Sequence, residues 1–283
     1  MDKPTKEALF DLWRSQHTAP HHFPMDLETW YNSMDADIDN DGRKLFLNLV
    51  TDVTWDDSGS LTGMIQYGTT AFGFDDSGEI STEIHYPVIR TLSFLPSRPE
   101  DGKKLLRRAM DYFGADAGRI YGFFHYFGMT ACARHGKLHE GQKHIESLLL
   151  RNGFEVEHEN VYYARELTQQ DSPSKPIDLR WDEETAGGCR GFAASVDGQE
   201  VGWGQVHFLP QNDIAYLRWI YIDEKRQHQG LGTRIMHTLF RDLFQFGIRR
   251  FDTDTALNNT AAQGYYEKTG FCHKGITRSY YTK

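Results

Sequence analysis

The chain of 283 residues has only three cysteines, which lie far apart and form no CxxC pair. A sparse, odd set of cysteines argues against a disulfide framework and against a cysteine-rich zinc site. No apolar run reaches the roughly 20 residues that a membrane-spanning helix needs, and the polar residues 1–6 do not resemble a signal segment. We therefore expect a soluble cytoplasmic protein that binds neither a membrane nor a metal ion.

An excess of basic residues is also lacking. The 31 Lys and Arg residues are outnumbered by 40 Asp and Glu residues, which gives a formal net charge of −9. A nucleic-acid-binding protein usually carries a basic face or tail, and no basic run is present. The charge argues against nucleic acid as a partner and slightly favours cationic substrates such as amines.

The length predicts two domains, because compact domains take roughly 100–200 residues each. A polar stretch at 168–176 is typical of a linker, and we place the domains at 1–170 and 171–283. Asn152-Gly153-Phe154 resembles Thr269-Gly270-Phe271, and each is followed by a tyrosine pair. Both halves also show three strands, a helix, a strand, a helix and a strand, so we interpret them as a duplicated α/β (α+β) fold.

Hydrophobic periodicity and turn residues predict the individual elements. The predicted helices are 5–17, 27–34, 101–113, 139–151, 232–246 and 260–268. The predicted strands are 44–52, 61–72, 84–95, 154–167, 178–181, 191–196, 200–209, 214–222, 249–254 and 272–281. An apolar run at 120–127 has no assigned type.

The loop that joins the strand 214–222 to the helix 232–246 contains Gln227-His228-Gln229-Gly230-Leu231-Gly232. A helix N-terminus offers unpaired N–H groups and the positive end of the helix dipole, and glycines let a phosphate approach the backbone. A lone Gly-x-Gly is more often an ordinary turn. A dinucleotide-binding loop would require a third glycine at 235, where the residue is Ile235.

Two motifs in the second half together resemble the GNAT acetyltransferase family. Ile222-x4-Gln227-x2-Gly230-x-Gly232 is similar to the family's acyl-CoA loop, and residues 259–271 are similar to its Asn-x-x-Ala-x-x-x-Tyr-Glu-Lys-x-Gly-Phe stretch. His228 stands where the family often has glycine. The resemblance implies two mixed-sheet domains with helices on both faces, and acetyl-CoA as the co-substrate.

The resemblance also implies roles for particular residues. The backbone of Ile220, Tyr221 and Ile222 would lie against the pantetheine arm and the thioester, and Asn259 near that arm. The cradle for the CoA pyrophosphate would consist of Gln227, His228, Gln229, Gly230, Leu231, Gly232 and Thr233. Tyr266 would protonate the departing thiolate and also contact the CoA, whereas Tyr265 would pack. A general base is not identifiable from sequence, and Asp254 is the first candidate, before Asp252, His207, Tyr216 or a water chain.

The first half lacks a matching cradle. Residues 96–104 hold one glycine, two prolines and the acidic pair Glu100-Asp101, which is unsuited to an anion. We expect a degenerate acyltransferase domain there. Only 182–190 separates the first two strands of the second half, whereas two helices open the first half, so the first domain could line the acceptor side.

The predicted function is direct transfer of an acetyl group to a primary amine of a small molecule or peptide. The alternatives are a non-catalytic acyl-CoA-binding or regulatory protein and transfer of a longer acyl group. The acceptor, and whether the chain is a monomer or a homodimer, stay open.

Overall fold

The computed structural model describes residues 4–16, 20–35, 38–39, 42–129, 135–169, 171, 175–185, 187–209 and 213–283. The helices are α1 Lys6–Gln16, α2 Leu27–Asp35, α3 Pro99–Phe113, α4 Lys143–Arg151, α5 Leu231–Gln245 and α6 Thr260–Lys268. The strands of the first half are β1 Phe46–Trp55, β2 Leu61–Thr70, β3 Gly73–Phe74, β4 Ile80–Ser81, β5 Pro87–Phe94, β6 Tyr121–Gly122, β7 Leu138–His139 and β8 Phe154–Glu166. The strands of the second half are β9 Asp178–Trp181, β10 Cys189–Val196, β11 Gln199–Leu209, β12 Ile214–Ile222, β13 Arg250–Ala256 and β14 Cys272–Thr282.

The predicted mixed α/β fold class is confirmed. The predicted ends lie within three residues of the observed ones, except at one helix. The helix predicted from residue 139 begins at Lys143, because His139 is in β7 and pairs with Thr277 of β14. The apolar run 120–127 forms β6 and a single 3₁₀ turn, His125–Phe127. None of the helices in the described ranges is long and apolar enough to span a bilayer.

The chain forms two compact units. Two strands belong to both of them: β8 begins in unit 1 and ends in unit 2, and β14 begins in unit 2 and ends in unit 1. Unit 1 contains the residues up to Asp39, Arg43–Glu159 and Ile276–Lys283, whereas unit 2 is mainly Asn160–Gly275. These units differ from a single division after residue 170. The second part of β8 aligns with the whole of β13, from Asn160↔Ala256 to Glu166↔Arg250. That pairing places residues 160–166 with the second half of the chain.

Unit 2 contains a sheet in the order β8-β13-β12-β11-β10-β9. Only β12 and β13 are parallel, and the other pairs are antiparallel. The buried face of α5, including Ile235, Leu239 and Leu243, packs on this sheet in one hydrophobic core. Val161 and Tyr163 of β8 belong to the same core, which is a second reason why the end of β8 lies in unit 2.

Unit 1 contains a sheet in the order β1-β2-β5-β6-β14. The last strand of the chain completes it: Tyr280 pairs with Gly122 of β6 and is 1% exposed in the core beneath α3 and α4. A separate cluster on β2 contains Met64, covered by α1 and α2 through side chains such as Trp13 and Trp30.

A matching irregularity in the two sheets supports the duplication. In unit 1, Gln66 pairs with Thr91 and Tyr67 with Ile89, so that Arg90 is an extra, bulged residue of β5. In unit 2, Gln205 pairs with Trp219 and Val206 with Leu217, so that Arg218 is the bulged residue of β12.

In both bulges the arginine donates to the side-chain oxygen of the facing glutamine. The bond runs from Arg90 to Gln66 at 3.0 Å and from Arg218 to Gln205 at 2.5 Å. A bulge with the same residue pair in both sheets relates the two halves more firmly than the short sequence repeat does.

Candidate active site

The parting of two neighbouring strands creates a groove in unit 2. β12 and β13 pair from Ile214↔Arg250 as far as Leu217↔Thr253. Beyond this point β12 runs on to Ile222 and stays paired with β11 on its other edge. One edge of β12 therefore faces the groove, whose volume is about 820 Å³.

Both sequence motifs converge on this groove. Its lining includes the predicted residues Ile220, Tyr221, Ile222, Gln227, His228, Gly230, Leu231, Gly232, Thr233, Asp254, Asn259 and Tyr266. Gln229 lies outside that lining, and its side-chain amide donates to the carbonyl oxygen of Lys225 at 3.1 Å. A loop and a helix almost thirty positions apart in sequence therefore meet at one cavity.

The loop before α5 has the geometry of an anion cradle. A 3₁₀ turn, Glu224–Arg226, leads into His228 and Gly230, whose φ angles are +60° and +76°. The first N–H groups of α5 have no intrahelical carbonyl to bind, and they carry the positive end of the helix dipole. The left-handed backbone at Gly230 turns the chain so that α5 begins at the groove wall. His228 adopts the same region without being glycine, at a conformational cost of about 1 kcal/mol.

The glycine at 232 has a packing reason. A Cβ at Gly232 would lie 2.7 Å from Cδ1 of Ile222 and 3.3 Å from the ring of Tyr265. Gly230, by contrast, has open space where its Cβ would be. One glycine serves the backbone turn, and the other lets α5 approach β12 and α6 closely.

The adjacent tyrosines of α6 have different surroundings. Tyr265 donates its hydroxyl hydrogen to the carbonyl oxygen of Gly232 at 2.8 Å. Tyr266 is 6% exposed and its ring packs against Phe271 and Tyr163. Burial raises the pKa of Tyr266, a hydrogen bond with the Thr253 side chain lowers it, and the charge of Asp254 raises it. The hydroxyl of Tyr266 is consequently protonated at neutral pH and lies near the point where the strands part.

Asp254 reaches the groove with both oxygens already accepting hydrogen bonds. Tyr216 donates to its Oδ1 at 2.6 Å, and Asn160 donates to its Oδ2 at 2.8 Å. Donors to a carboxylate favour its charged form. Asn160 comes from β8, so a strand before the predicted linker supplies a contact to this site.

The other candidates for a base are placed differently. Asp252 is fully buried and is held by two bonds from Arg250, at 2.8 and 2.6 Å, and one from Tyr162, at 2.6 Å. His207 is 6% exposed on β11. Neither is among the groove-lining residues, whereas Asp254 is.

Asn259 begins α6. Its side-chain oxygen accepts a hydrogen bond from the N–H of Ala262 at 3.1 Å, as an N-cap residue does. The oxygen thus holds the helix start, and Asn259 is also one of the groove-lining residues. This arrangement accounts for the asparagine at the start of the second motif.

Several groove-lining residues were not predicted as site residues. They include Arg218, Trp219, Thr255, Ala261, Ala262, Gly264, Tyr265 and Lys268. The alternation of β12 would have placed Trp219 on the same face as Tyr221. Arg218 had no such signal, because a bulge interrupts the alternation.

The equivalent loop of unit 1 is closed to an anion. A Cβ at Gly102 would lie 2.7 Å from the ring of Phe94, which parallels the approach of Gly232 to Ile222. The first turn of α3 instead contains Asp101, 3% exposed, whose carboxylate accepts from Nε of Arg98 at 2.7 Å. An internal carboxylate in the first turn already interacts with the positive end of the helix dipole. Across the described ranges, no cluster of three or more His, Cys, Asp and Glu residues could hold a metal ion.

Comparisons with known proteins agree with this geometry. Residues 156–271 match the model of the acetyltransferase (GNAT) family. No curated protein sequence matches the chain.

Two solved structures have a TM-score of 0.64. One is a tandem GNAT protein from the clavulanic acid biosynthesis pathway, 13% identical, with 98% of this chain and 94% of that chain covered. The other is a fungal multi-domain GH3 β-N-acetylglucosaminidase with a GCN5-related glucosamine N-acetyltransferase region, 11% identical, with 98% of this chain covered. This chain spans 36% of the length of that protein.

A GCN5-related N-acetyltransferase from Sphaerobacter thermophilus has a TM-score of 0.55 at 10% identity, with 99% of this chain and 93% of that chain covered. At such identities the likeness shows the fold alone, and it extends over both halves of the chain. Residues 156–271 therefore match the GNAT acetyltransferase family, and the chain as a whole shares the fold of these three structures.

Proposed function

We propose that the chain transfers an acetyl group from acetyl-CoA to a primary amine of a small molecule or peptide. The observation that supports this most strongly is the groove where β12 leaves β13, because it combines an anion cradle, a free strand edge and a protonated tyrosine. The cradle at His228, Gly230 and the start of α5 would hold the pyrophosphate. The edge of β12 at 220–222 would lie along the pantetheine arm.

The transfer requires three protein contributions. The neutral amine attacks the thioester carbonyl, the C–N bond forms, and the C–S bond of the tetrahedral intermediate breaks. Backbone N–H groups of β12 would stabilise the negative charge on the carbonyl oxygen. Tyr266 would give its proton to the departing thiolate. Burial raises the pKa of this phenol, so the proton is present on Tyr266 when the thiolate departs.

The amine must lose one proton during the reaction. Asp254 is the carboxylate in the groove, and we propose that it accepts a hydrogen bond from the incoming amine and takes its proton directly or through water. Its bonds from Tyr216 and Asn160 orient the carboxylate toward one position. Because both oxygens already accept these bonds, positioning of the amine is its larger contribution.

We propose one CoA site per chain. The Asp101 carboxylate and the two prolines flanking Arg98 make unit 1 a poor site for a pyrophosphate, so unit 1 is a degenerate copy. The glucosamine acceptor of one fold neighbour does not transfer to this chain at 11% identity. The acceptor must be identified from the groove itself.

Release of free thiol from acetyl-CoA, measured with a panel of primary amines, tests the proposal. Amine-dependent release together with the acetylated amine in the mass spectrum is expected. Binding of acetyl-CoA in calorimetry without release of thiol for any amine would instead support the non-catalytic CoA-binding alternative. Replacing acetyl-CoA with hexanoyl-CoA distinguishes acetyl transfer from transfer of a longer chain.

A further inference from the structure

Three exposed aromatic side chains lie together in unit 2. Trp203 of β11 and Trp219 and Tyr221 of β12 are 45%, 37% and 43% exposed. The ring centroids of Trp203 and Trp219 are 4.1 Å apart with the planes at 78°, and those of Trp203 and Tyr221 are 5.9 Å apart. Trp219 and Tyr221 also line the groove. These three side chains are called the aromatic platform below.

The aromatic platform occupies the sheet face that is turned away from α5. Trp203 pairs directly with Tyr221, so their side chains share a face, and Trp219 lies two positions from Tyr221. A Cβ at the neighbouring Gly202 would point to the other face, 3.4 Å from Ile235 of α5. The platform is thus separate from the hydrophobic core and continuous with the groove.

The same face in unit 1 is closed. The matching bulges align Trp203, Trp219 and Tyr221 with Met64, Thr91 and Ser93. These three counterparts in unit 1 are 0%, 4% and 0% exposed. The helices α1 and α2 cover Met64. In unit 2 the described residues between β9 and β10 include no helix.

The sheet face that is buried in unit 1 is therefore exposed in unit 2, where it carries large aromatic side chains. Contiguous exposed apolar surface next to a cavity is typical of a binding site. We propose that the aromatic platform binds the aromatic ring of the acyl acceptor, so that the acceptor is an arylalkylamine. This inference rests on the proposed function, because it identifies the substrate class of the same groove.

The arrangement of the rings favours an aromatic group. Two nearly perpendicular rings offer a third ring one face for offset stacking and one edge for a T-shaped contact, which are the two preferred geometries. Beside the platform, Gly191 and Ala193 of β10 pair with Gln205 and Trp203, so two small residues lie on the same face.

The charged side chains around the platform do not favour a polycationic acceptor. Arg218 is bonded to Gln205, the residue that pairs with Trp219. The carboxylate of Asp182 lies over Gly191, and Arg180 pairs with Ala193, the neighbour of Trp203. One carboxylate among two guanidinium groups leaves no excess negative charge for a second ammonium group.

The test measures kcat/KM of the full chain for tryptamine, pentylamine, spermidine and glucosamine. Tryptamine is expected to exceed the other three by about tenfold or more, as stacking contacts of this kind allow. Trp203→Leu should lower kcat/KM for tryptamine about tenfold and change that for pentylamine less than twofold. The affinity for acetyl-CoA should not change, because Trp203 is outside the groove lining. Tyr112→Leu, which replaces a 47% exposed aromatic of unit 1, is the matched control.

Equal values for tryptamine and pentylamine, or higher values for spermidine or glucosamine, would overturn the inference and leave the proposed function standing. Acetyl-CoA binding without turnover of any amine would overturn the proposed function, and the inference with it. The comparison of amines uses the unaltered chain, so it stands even where Trp203→Leu fails to fold.

Discussion

The hydroxyl of Tyr265 donates a hydrogen bond to the carbonyl oxygen of Gly232, 2.8 Å away. This bond connects α6 to the first turn of α5, and so joins the two sequence motifs that define the site. The neighbouring Tyr266 forms a hydrogen bond with the side chain of Thr253 in β13 instead, and both tyrosines line the groove. Two adjacent tyrosines therefore have separable roles, which mutation can distinguish.

Tyr265→Phe should weaken both the fold and the binding of acetyl-CoA. Loss of the bond to Gly232 leaves a part-buried carbonyl with one partner fewer, which costs about 1 kcal/mol of unfolding free energy. Acetyl-CoA affinity should fall several-fold, because the start of α5 is less firmly held. Urea unfolding and calorimetric titration measure the two effects, and an unchanged affinity would show that the tie does not support the cradle.

Tyr266→Phe should affect turnover and leave binding nearly intact. Removal of a general acid typically lowers kcat by about 10²–10⁴-fold, whereas the phenyl ring still fills its place against Phe271. The dissociation constant of acetyl-CoA should stay within about twofold. Stopped-flow or steady-state thiol release measures kcat, and a kcat close to that of the unaltered chain would remove Tyr266 from the mechanism.

Gly232→Ala should lower acetyl-CoA affinity, and Ile222→Val should restore it. The alanine Cβ would meet Cδ1 of Ile222 at 2.7 Å, and valine lacks that atom. Overpacking of this kind typically costs about 1–3 kcal/mol, measured as unfolding free energy and CoA affinity in the two single variants and the double variant. If Ile222→Val gave no rescue, the glycine would be required by the ligand and not by packing.

His228→Gly should stabilise the chain by about 1 kcal/mol, because glycine adopts the left-handed backbone at this position without strain. Gly230→Ala should have the opposite sign, since its φ of +76° is strained for alanine although its Cβ would have open space. Thermal and urea unfolding measure the change in unfolding free energy for both variants. A stabilised Gly230→Ala variant would contradict the loop geometry described above.

Stability should fall at alkaline pH. Burial raises the pKa of Tyr163 to about 12, helped by its hydrogen bond to Glu267, and the unfolded phenol has a pKa of about 10. The folded state then retains the phenolic proton to a higher pH than the unfolded state does. The contribution of Tyr163 to the unfolding free energy is therefore unchanged below pH ~10 and decreases as the pH rises toward 12. The slope is at most about 1.4 kcal/mol per pH unit for each such tyrosine. Tyr163→Phe should flatten this decline in urea titrations at pH 9, 10 and 11, and an equally steep decline would be the contrary result.

The sequence predicted the local elements of this chain well, because their signals are local. The amphipathic face of α5 and the alternation of β11 and β12 are readable from neighbours in the chain. The loop at 227–232 and the motif at 259–271 also indicated the family through their residues. Twelve of the predicted site residues line one groove, because the residues of these two motifs contribute to the same site.

Other features depend on pairing between distant segments, which periodicity does not report. The passage of β8 into unit 2 is decided by its alignment with β13, and the passage of β14 into unit 1 by the contact of Tyr280 with β6. A single polar linker in the sequence gave no sign of either. The packing role of Gly232 was likewise hidden, because it arises from Ile222 and Tyr265 on two other elements.

The sequence by itself determined the family motifs, the helix and strand positions and the glycine-containing loop before α5, since each depends on residues within a few turns or one short loop. The tertiary structure alone decided that Arg90 and Arg218 are bulged in matching places. It also decided that Met64 is covered while Trp203 is open. Whether a side chain is core or surface depends on what packs over its strand, and in this chain α1 and α2 cover that face in unit 1.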